Sequence, residues 1–187
     1  FLEINASGLL TAIANDDIFI TETTGDMQVS AVASNAGNVM LTTLAGSILD
    51  ADDDALANVQ GSKIDLFANG GSIGSPASGS PANHLDIYGA GTGQSQNFGV
   101  TSSVPATGRL VARGDGVFIS EVNGSLNVLD VTAVSGDVEL KVIDADSSTR
   151  SEDLNLLTGP GQTMTGTAIA SPGITATGSI AVYAGDD

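Results

Sequence analysis

The sequence contains no cysteine and no tryptophan, and aromatic residues make up only 4% of its 187 positions. Disulfide bonds and thiol chemistry are therefore excluded. No apolar run approaches the roughly 18 residues that a membrane-spanning helix needs. Because 41% of the residues are apolar but few carry rings, the composition favours a thin core of aliphatic side chains over a wide globular core.

Basic residues are also scarce, since 5 Lys and Arg stand against 22 Asp and Glu and the net charge is −17. Binding to nucleic acid or to anionic lipid requires a cationic surface that five scattered bases cannot form. The composition therefore argues against nucleic acid as a partner and against membrane insertion. So many carboxylates repel one another unless salt or divalent cations screen them, as calcium-bearing extracellular fluid would.

What the chain does contain is a long internal repeat, because residues 17–41 return without a gap as residues 116–140. Within each copy, apolar and polar residues alternate in short runs that end at Gly, which is the period of a half-buried strand followed by a turn. The identical pairs are Phe19/Phe118, Ile20/Ile119, Glu22/Glu121, Gly25/Gly124, Val29/Val128, Val32/Val131, Gly37/Gly136, Val39/Val138 and Leu41/Leu140.

The spacing of these strands predicts a coil. Ile18 precedes Val39 by 21 residues, and the same step separates Met27 from Ile48 and Val117 from Val138. A constant step indicates a β-solenoid in which each strand stacks on its counterpart at about 4.8 Å and inward residues form rows along the axis. No turn of such a coil can bury its apolar face alone.

The whole chain, residues 1–187, is therefore predicted to be one all-β solenoid. Leu2 and Ile4 match Leu85 and Ile87 with an offset of 83 residues, whereas the main repeat has an offset of 99. We expect copy one over residues 1–84 and copy two over residues 85–187, with an insertion around residues 89–107 whose Gly, Ser, Gln and Thr content is typical of a loop. The unit of about 83 residues would correspond to four turns.

Residues 158–173 show the weakest pattern, and no full window has the period of an amphipathic helix. Phe1 opens within a strand pattern and no basic leader precedes it, so we expect the sequence to be part of a longer chain.

Several short runs resemble the repeats of large bacterial surface adhesins of the filamentous haemagglutinin type, including the giant repetitive exoproteins. They are GDV or GNV before a strand, AGSILDA leading into an acidic loop, ANGGSIG, and then LEI or LDI. The resemblance covers most of residues 1–157. It implies a right-handed parallel β-helix located at the bacterial cell surface or outside the cell.

The acidic loop is a candidate calcium site. Asp50, Asp52 and Asp54 alternate as the first three ligands of a calcium loop do. Ala55 and Gly61 stand where an EF-hand has Gly and Glu, so the loop is not an EF-hand.

The second copy offers Asp144 and Asp146 at the corresponding loop. The alternative for both loops is that the Asp side chains accept hydrogen bonds from their own backbone amides, without any metal.

Two rings form a candidate interaction surface. If Ile18 and Ile20 point inward, strand alternation sends Phe19 and its counterpart Phe118 outward. An outward ring in each copy predicts a lateral contact between fibres or with a ligand. The alternative is that neighbouring outer side chains cover both rings.

The sequence predicts no catalytic residues and no cofactor-binding residues. A glycosidase of the usual kind needs two carboxylates about 5 to 10 Å apart, and pairs such as Glu22 and Glu139 occur in any acidic solenoid. His84 is the only histidine and is predicted to be an ordinary loop side chain.

The predicted function is a structural and adhesive rod segment of a long exported bacterial surface protein or extracellular fibre. Its expected partners are other copies, neighbouring repeats of the same chain, and host or matrix glycans or proteins. The alternative is a carbohydrate-binding or polysaccharide-cleaving β-helix, against which the scarcity of Tyr and Trp argues.

Overall fold

A computed structural model describes residues 1–54, 56–76, 83–89, 108–143 and 152–185. In these ranges the regular structure is entirely β, as the alternating sequence predicts. The same ranges contain no helix that is both long enough and apolar enough to cross a membrane. The strands are β1 (Leu2–Ile4), β2 (Leu9–Ala14), β3 (Ile18–Glu22), β4 (Met27–Ser34), β5 (Val39–Thr43), β6 (Ile48–Asp50), β7 (Val59–Gly61), β8 (Lys63–Ala68), β9 (Leu85–Gly89), β10 (Arg109–Gly114), β11 (Val117–Glu121), β12 (Leu126–Ala133), β13 (Val138–Val142), β14 (Leu154–Leu156), β15 (Gly161–Gln162), β16 (Ala168–Ile169), β17 (Gly173–Ala176) and β18 (Ile180–Ala184).

Two parallel sheets of eight strands each account for nearly all of these elements. Sheet A has the order β1-β3-β5-β8-β10-β12-β14, with β17 also pairing with β12. Sheet B has the order β2-β4-β7-β9-β11-β13-β18, with β6 also pairing with β4. Along most of the chain, successive strands therefore alternate between the two sheets. Among the strands of the described ranges, only β15 and β16 pair antiparallel, in a separate two-stranded sheet.

The register confirms the three strand neighbours that the 21-residue step predicted. Ile18 pairs with Val39, Met27 with Ile48, and Val117 with Val138. The step is not constant elsewhere, because Val39 pairs with Ile64, which lies 25 residues later. The loops that connect the strands lie on the surface and can lengthen without disturbing the strand pairing. The pairing is therefore maintained although the number of residues between paired strands varies.

The core lies between the two sheets and consists of apolar rows that run in register from strand to strand. In sheet A one row is Leu2, Ile20, Leu41, Leu66, Ala112, Val131 and Ile174. In sheet B one row is Ala12, Val32, Val59, Ile87, Glu121, Val142 and Ala184, and Glu121 is its one polar member. The five inner members of each row are at most 2% exposed, so each strand buries its inward face against both neighbours.

The turns also stack on one another. Gly25 and Gly46 both have positive φ angles, of 83° and 150°, and their backbones lie so close that a Cβ on Gly46 would be 2.1 Å from the Gly25 carbonyl oxygen. Gly71 approaches Gly46 in the same way, with its notional Cβ 2.4 Å from the Gly46 carbonyl carbon. The recurring Gly therefore allows the corners of successive turns to pack backbone on backbone.

A polar residue follows several of these glycines and links one turn to the next. The Ser47 amide donates to Asp26 Oδ1 at 2.7 Å, and the Ser72 amide donates to Ser47 Oγ at 3.1 Å. The Asn38 amide donates to Asp17 Oδ1 at 2.8 Å. Short polar side chains just before some of the strands thus satisfy amides that the sheet ladder does not reach.

The two sequence copies fold into the same strands but lie in opposite sheets. β3 and β11 have five residues each, β4 and β12 have eight, and β5 and β13 have five. However, β3 and β5 belong to sheet A whereas β11 and β13 belong to sheet B. A unit of four whole turns would return every strand to its own sheet, so that prediction is wrong. The alternation of apolar and polar residues specifies which face of a strand points inward. It does not specify the sheet, because both sheets face the same core.

The repeated acid of the two copies has a shared role at the end of its strand. Glu22 and Glu121 are 1% and 0% exposed and project inward where the chain turns. The Thr24 amide donates to Glu22 Oε1 at 3.3 Å, and the Asn123 amide donates to Glu121 Oε1 at 3.4 Å. These carboxylates are therefore turn caps, because each accepts an amide two residues further along the chain.

We predict that the inward rows dominate stability. Replacing Leu41, which is 0% exposed, by Ala should lower the free energy of unfolding by about 2 to 5 kcal/mol, because a cavity opens in the middle of sheet A. Leu44 lies three residues later on a turn and is 56% exposed, so Leu44→Ala should change it by less than about 0.5 kcal/mol. Urea unfolding followed by circular dichroism measures both variants, and equal losses would contradict the buried-row account.

Candidate functional site

The three acidic residues predicted to bind calcium do not converge on one point. The Asp50 side chain is buried and accepts the Asp52 amide at 2.9 Å. Asp52 Oδ2 instead accepts the Ser30 hydroxyl at 2.7 Å, and Asp54 Oδ1 accepts the Leu56 amide at 2.8 Å. This is the local capping that formed the alternative to a metal site.

Among the described residues, no group of three or more His, Cys, Asp and Glu side chains is placed to hold a metal ion. The geometry of the first acidic loop therefore gives no support to calcium there. Asp144 and Asp146 lie outside the described residues, and calcium stays a prediction for their loop.

The two predicted surface rings differ in their surroundings. Phe19 is half-buried on the outer face of sheet A and lines a cleft described below. Phe118 is only 4% exposed. Its ring lies directly over Gly116, where an added Cβ would be 2.6 Å from Phe118 Cε2. Phe118 is thus covered by its own chain and offers no exposed contact surface, whereas Phe19 is accessible from the cleft.

The proposed carboxylate pair Glu22 and Glu139 is separated by the fold. Glu22 ends β3, near one end of sheet A, and Glu139 lies on β13, near the opposite end of sheet B. The pair therefore cannot act as the two carboxylates of a glycosidase, which must flank one bond.

A network of buried polar side chains crosses sheet B. Asn58, which is 1% exposed, is at its centre. Its Nδ2 donates to Asp50 Oδ1 at 2.8 Å and to the Val29 carbonyl at 3.1 Å, and its Oδ1 accepts the Asp86 amide at 2.9 Å. Asn58 therefore fixes the point at which the acidic loop leaves and rejoins the sheet, and it joins β4, β6 and β9.

The network continues through the only histidine. His84 Nδ1 and Ser120 Oγ are 2.7 Å apart, and His84 Nε2 lies 3.5 Å from Glu139 Oε1. Ser120 also forms a hydrogen bond with the Asp86 carboxyl. The expectation that His84 is an ordinary loop side chain is wrong, because it is buried at 7% exposure and contacts two strands.

Serine, histidine and a carboxylate in series are the groups that nucleophilic catalysis uses. Here Ser120 is 3% exposed and His84 is 7% exposed. Both side chains are buried, so Ser120 presents no exposed hydroxyl and instead links His84 to the Asp86 carboxyl on the outer face of sheet B.

Burial shapes the electrostatics of this network. Burial, with the neighbouring Asp50 carboxylate adding to it, raises the pKa of Asp86 to about 7, against an opposing effect of the Ser120 hydrogen bond. Burial also raises the pKa of Asp50 above its ordinary value. The pKa of His84 is lowered by burial, although the Glu139 carboxylate opposes the change. Near neutral pH the network therefore holds fewer charges than its residue types suggest.

Sequence reasoning missed this network because its members are far apart in the chain. His84, just before β9, and Asp86, within it, alternate with Leu85 and Ile87, which does predict that both side chains point outward. Their partner Ser120 is identified only by the register of β9 on β11.

A second feature is a strap on the outer face of sheet A, formed by residues 157–170, which include β15 and β16. A buried ion pair between Asp65 and Arg109 holds it. The Met164 amide donates to Asp65 Oδ2 at 2.6 Å, and Arg109 Nη2 donates to the Gln162 carbonyl at 2.7 Å. Asp65 is 0% exposed although it points outward from β8, because the strap covers it.

The strap and sheet A enclose a cleft of about 1200 Å³. Its floor includes a row of polar side chains at the starts of neighbouring strands of sheet A. Asp17 Oδ1 accepts Asn38 Nδ2 at 2.8 Å, and Asn38 Oδ1 accepts the Lys63 amide at 3.2 Å. Lys63 in turn is the register partner of Arg109. Phe19 lies beside this row, so the cleft combines one ring with polar and basic groups.

Comparisons with known proteins give no match: no family model matches the chain, and no match to it is found among the curated proteins or the solved structures.

We predict a distinct pH dependence from Asp86. Its pKa is raised from 3.8 to about 7, so between these values the folded protein keeps a proton that the unfolded chain releases. The contribution of Asp86 to the free energy of unfolding therefore falls as pH rises through this window, by at most about 1.4 kcal/mol per pH unit. Asp86→Asn removes this dependence.

The measurement is the difference between the urea midpoints of Asp86→Asn and the parent. This difference, variant minus parent, should be more positive at pH 8 than at pH 5. The lowered pKa of His84 acts in the opposite sense, since stability is lost as pH falls and the unfolded histidine gains a proton. That effect is common to both proteins and cancels in the comparison. Asp16→Asn, at an exposed position, is the control of equal charge, and an unchanged difference between the two pH values for Asp86→Asn would contradict the prediction.

We also predict that Arg109 holds the strap. Arg109→Gln removes the ion pair with Asp65 and weakens the bond to the Gln162 carbonyl, so amides of residues 161–169 should exchange hydrogen about tenfold faster or more. Arg113→Gln, at an exposed position on the same strand, should leave their exchange unchanged. Hydrogen–deuterium exchange with mass spectrometry measures both, and equal exchange in the two variants would refute the assignment.

Proposed function

We propose that the chain is a segment of a right-handed parallel β-helix that acts as a rod in a long exported bacterial surface protein or extracellular fibre. The observation that carries the proposal is the arrangement of the interior. Parallel strands are delivered alternately to two sheets, and the apolar rows run in register from the first strands to the last. A core of this kind can be extended by adding strands along one axis, as in repeat proteins.

The usefulness of such a body lies in its length. Seven strands lie on the main path of each sheet. At a strand spacing of about 4.8 Å they span roughly 29 Å along the stacking direction. This segment alone is therefore short, and reach comes from further turns of the same chain or from further copies. Stiffness comes from the backbone ladders and apolar rows, which are continuous across every turn.

The surface chemistry supports an exported location. The net charge of −17 disfavours contact with nucleic acid and keeps such bodies apart unless cations screen them, as they do outside the cell. The runs AGSILDA and ANGGSIG, which resemble adhesin repeats, fall on β6 and on the turn after β8. These positions are stacked corners and inward strands, so the resemblance lies in the residues that build the coil.

Immunolabelling of the cells that make the protein tests the location and the form together. Antibodies raised against the purified chain should label the outside of intact, unpermeabilised cells or fibres that extend from them. Labelling that occurs only after permeabilisation would overturn the proposal. Pre-absorption of the antibodies with the purified chain provides the control.

A carbohydrate-binding function is the second candidate, and the cleft beneath the strap is the observation that favours it. Phe19 offers a face on which a sugar ring can stack, and Lys63 and Asn38 offer polar partners. A glycan array distinguishes the two functions, because a rod without a binding site should retain no glycan. Retention that is lost in Phe19→Ala but kept in Leu44→Ala would favour the carbohydrate function.

A further inference from the structure

The dipeptide Asn-Gly occurs twice in the sequence, as Asn69–Gly70 and as Asn123–Gly124. The first pair lies in the turn after β8, and the second lies in the turn between β11 and β12. Both glycines have positive φ angles, of 76° and 102°. The chain therefore contains the same chemical pair twice in a similar backbone, so a difference in reactivity must come from the surroundings.

An asparagine followed by glycine can react with its own backbone. The glycine nitrogen attacks Cγ of the asparagine, the bond between Cγ and Nδ2 breaks, and ammonia leaves with the proton of the backbone N–H. Water then opens the five-membered imide at either carbonyl, which leaves Asp or isoaspartate. Glycine favours the attack because it has no Cβ to obstruct the approach of its nitrogen.

Exposure distinguishes the two pairs. Asn69 and Gly70 are both exposed, and a Cβ added to Gly70 would meet no other heavy atom within 4 Å. Within the described ranges, no acceptor is bonded to the Gly70 N–H. By contrast, Asn123 is only 4% exposed and Gly124 is buried. Water and an attacking nitrogen are therefore available at the first pair, whereas the second pair is enclosed by its neighbours.

The native turn restrains Asn69 through three hydrogen bonds. Asn69 Nδ2 donates to the Thr43 carbonyl at 2.8 Å, and the Asn69 amide donates to the same carbonyl at 3.2 Å. The Gly46 amide donates to the Asn69 carbonyl at 3.0 Å. The Nδ2 bond must break before Cγ can turn towards the Gly70 nitrogen, so the reaction proceeds from an opened turn. Exposed turns open at a lower free energy than buried ones.

We propose that Asn69 is a self-modification site, at which the Gly70 nitrogen attacks the Asn69 carboxamide and water completes the conversion to Asp or isoaspartate. Water is the only other reactant, so the folded chain needs no enzyme for this step. Asn123 is the protected counterpart. The inference goes beyond the proposed function and does not depend on it.

The products change the corner that Asn69 stabilises. Asp places a carboxylate oxygen where Nδ2 now donates to the Thr43 carbonyl, so two acceptors face each other. Isoaspartate also lengthens the main chain by one carbon. There is no room for this next to Gly71, whose notional Cβ is already 2.4 Å from the Gly46 carbonyl carbon. Conversion of Asn69 therefore loosens the packing of this corner on the corner at Gly46.

Peptide mapping by mass spectrometry tests the proposal on the parent protein. After incubation at pH 8, Asn69 should be converted about tenfold faster than Asn123 or more, because only its turn is exposed. In urea the two sites should react at similar rates, because the fold no longer separates them. At pH 5 the conversion of Asn69 should be slower, since the Gly70 nitrogen must lose its proton to attack.

Asn5 provides a matched control within the same molecule. Asn5 and Ala6 are both exposed, but Ala6 carries a Cβ, so Asn5 should stay unconverted while Asn69 reacts. Conversion of Asn5 as fast as that of Asn69 would overturn the role of Gly70. Equal rates at Asn69 and Asn123 in the folded protein, while both react in urea, would overturn the assignment of the site.

Hydrogen exchange of the neighbouring corner tests the structural consequence. Asn69→Gln keeps a side-chain amide but disfavours the five-membered ring, so it should remain unconverted. After the same incubation, amides of residues 44–48 should exchange faster in the parent than before incubation, and those of Asn69→Gln should be unchanged. Each protein is compared with its own fresh sample, so a direct effect of the substitution cancels. Unchanged exchange in a parent whose Asn69 is converted would contradict the loosened corner.

Discussion

The parallel stacking of strands with inward aliphatic residues in register is the constraint on which the rest of the structure depends. Each strand inside a sheet buries its inward face against its two neighbours in that sheet and against the opposite sheet. Leu41 is enclosed by Ile20 and Leu66 in its own row, and the same relation recurs along both sheets. The polar features follow from it. The backbone corners between strands pack closely, and at residue 46 only Gly leaves enough room. Buried inward acids such as Glu22 have no access to solvent and therefore accept hydrogen bonds from backbone amides.

The outer faces of the two sheets are used differently. Sheet A is covered in part by the strap, which is held by a buried ion pair and leaves a cleft beside Phe19. Sheet B carries the polar network around Asn58, whose carboxyls and histidine are shifted by burial towards their neutral forms. Breaking a buried ion pair leaves an uncompensated charge. The pair of Arg109 and Asp65 therefore holds the strap against sheet A.

The sequence was sufficient to predict the strands and part of their register, because inward positions such as Ile18 and Val39 alternate with polar ones and recur at a fixed step. It could not assign the copies to sheets, since alternation defines an inward side but both sheets share one interior. It could not find the contact between His84 and Ser120, because that contact depends on a register set by loops of irregular length. The strap was also beyond it. The strands β15 and β16 have two residues each, which is too short to show a hydrophobic period. Asp65, which anchors the strap, occupies an outward position on its strand, where an acidic residue is ordinarily exposed to solvent.

The placement of the two copies in opposite sheets bears on how such a chain diversifies. A duplication that adds an odd number of strands leaves the hydrophobic interior intact, because each strand meets the same neighbours whichever wall it joins. It does, however, rotate the outer decoration to the other flank of the body: Phe19 faces out from sheet A, and its counterpart Phe118 faces out from sheet B. Corresponding outer positions of the two copies thus meet different neighbours: Phe19 stays accessible from the cleft, whereas Phe118 packs over Gly116, so one sequence pattern supplies an accessible ring on one sheet and a covered ring on the other.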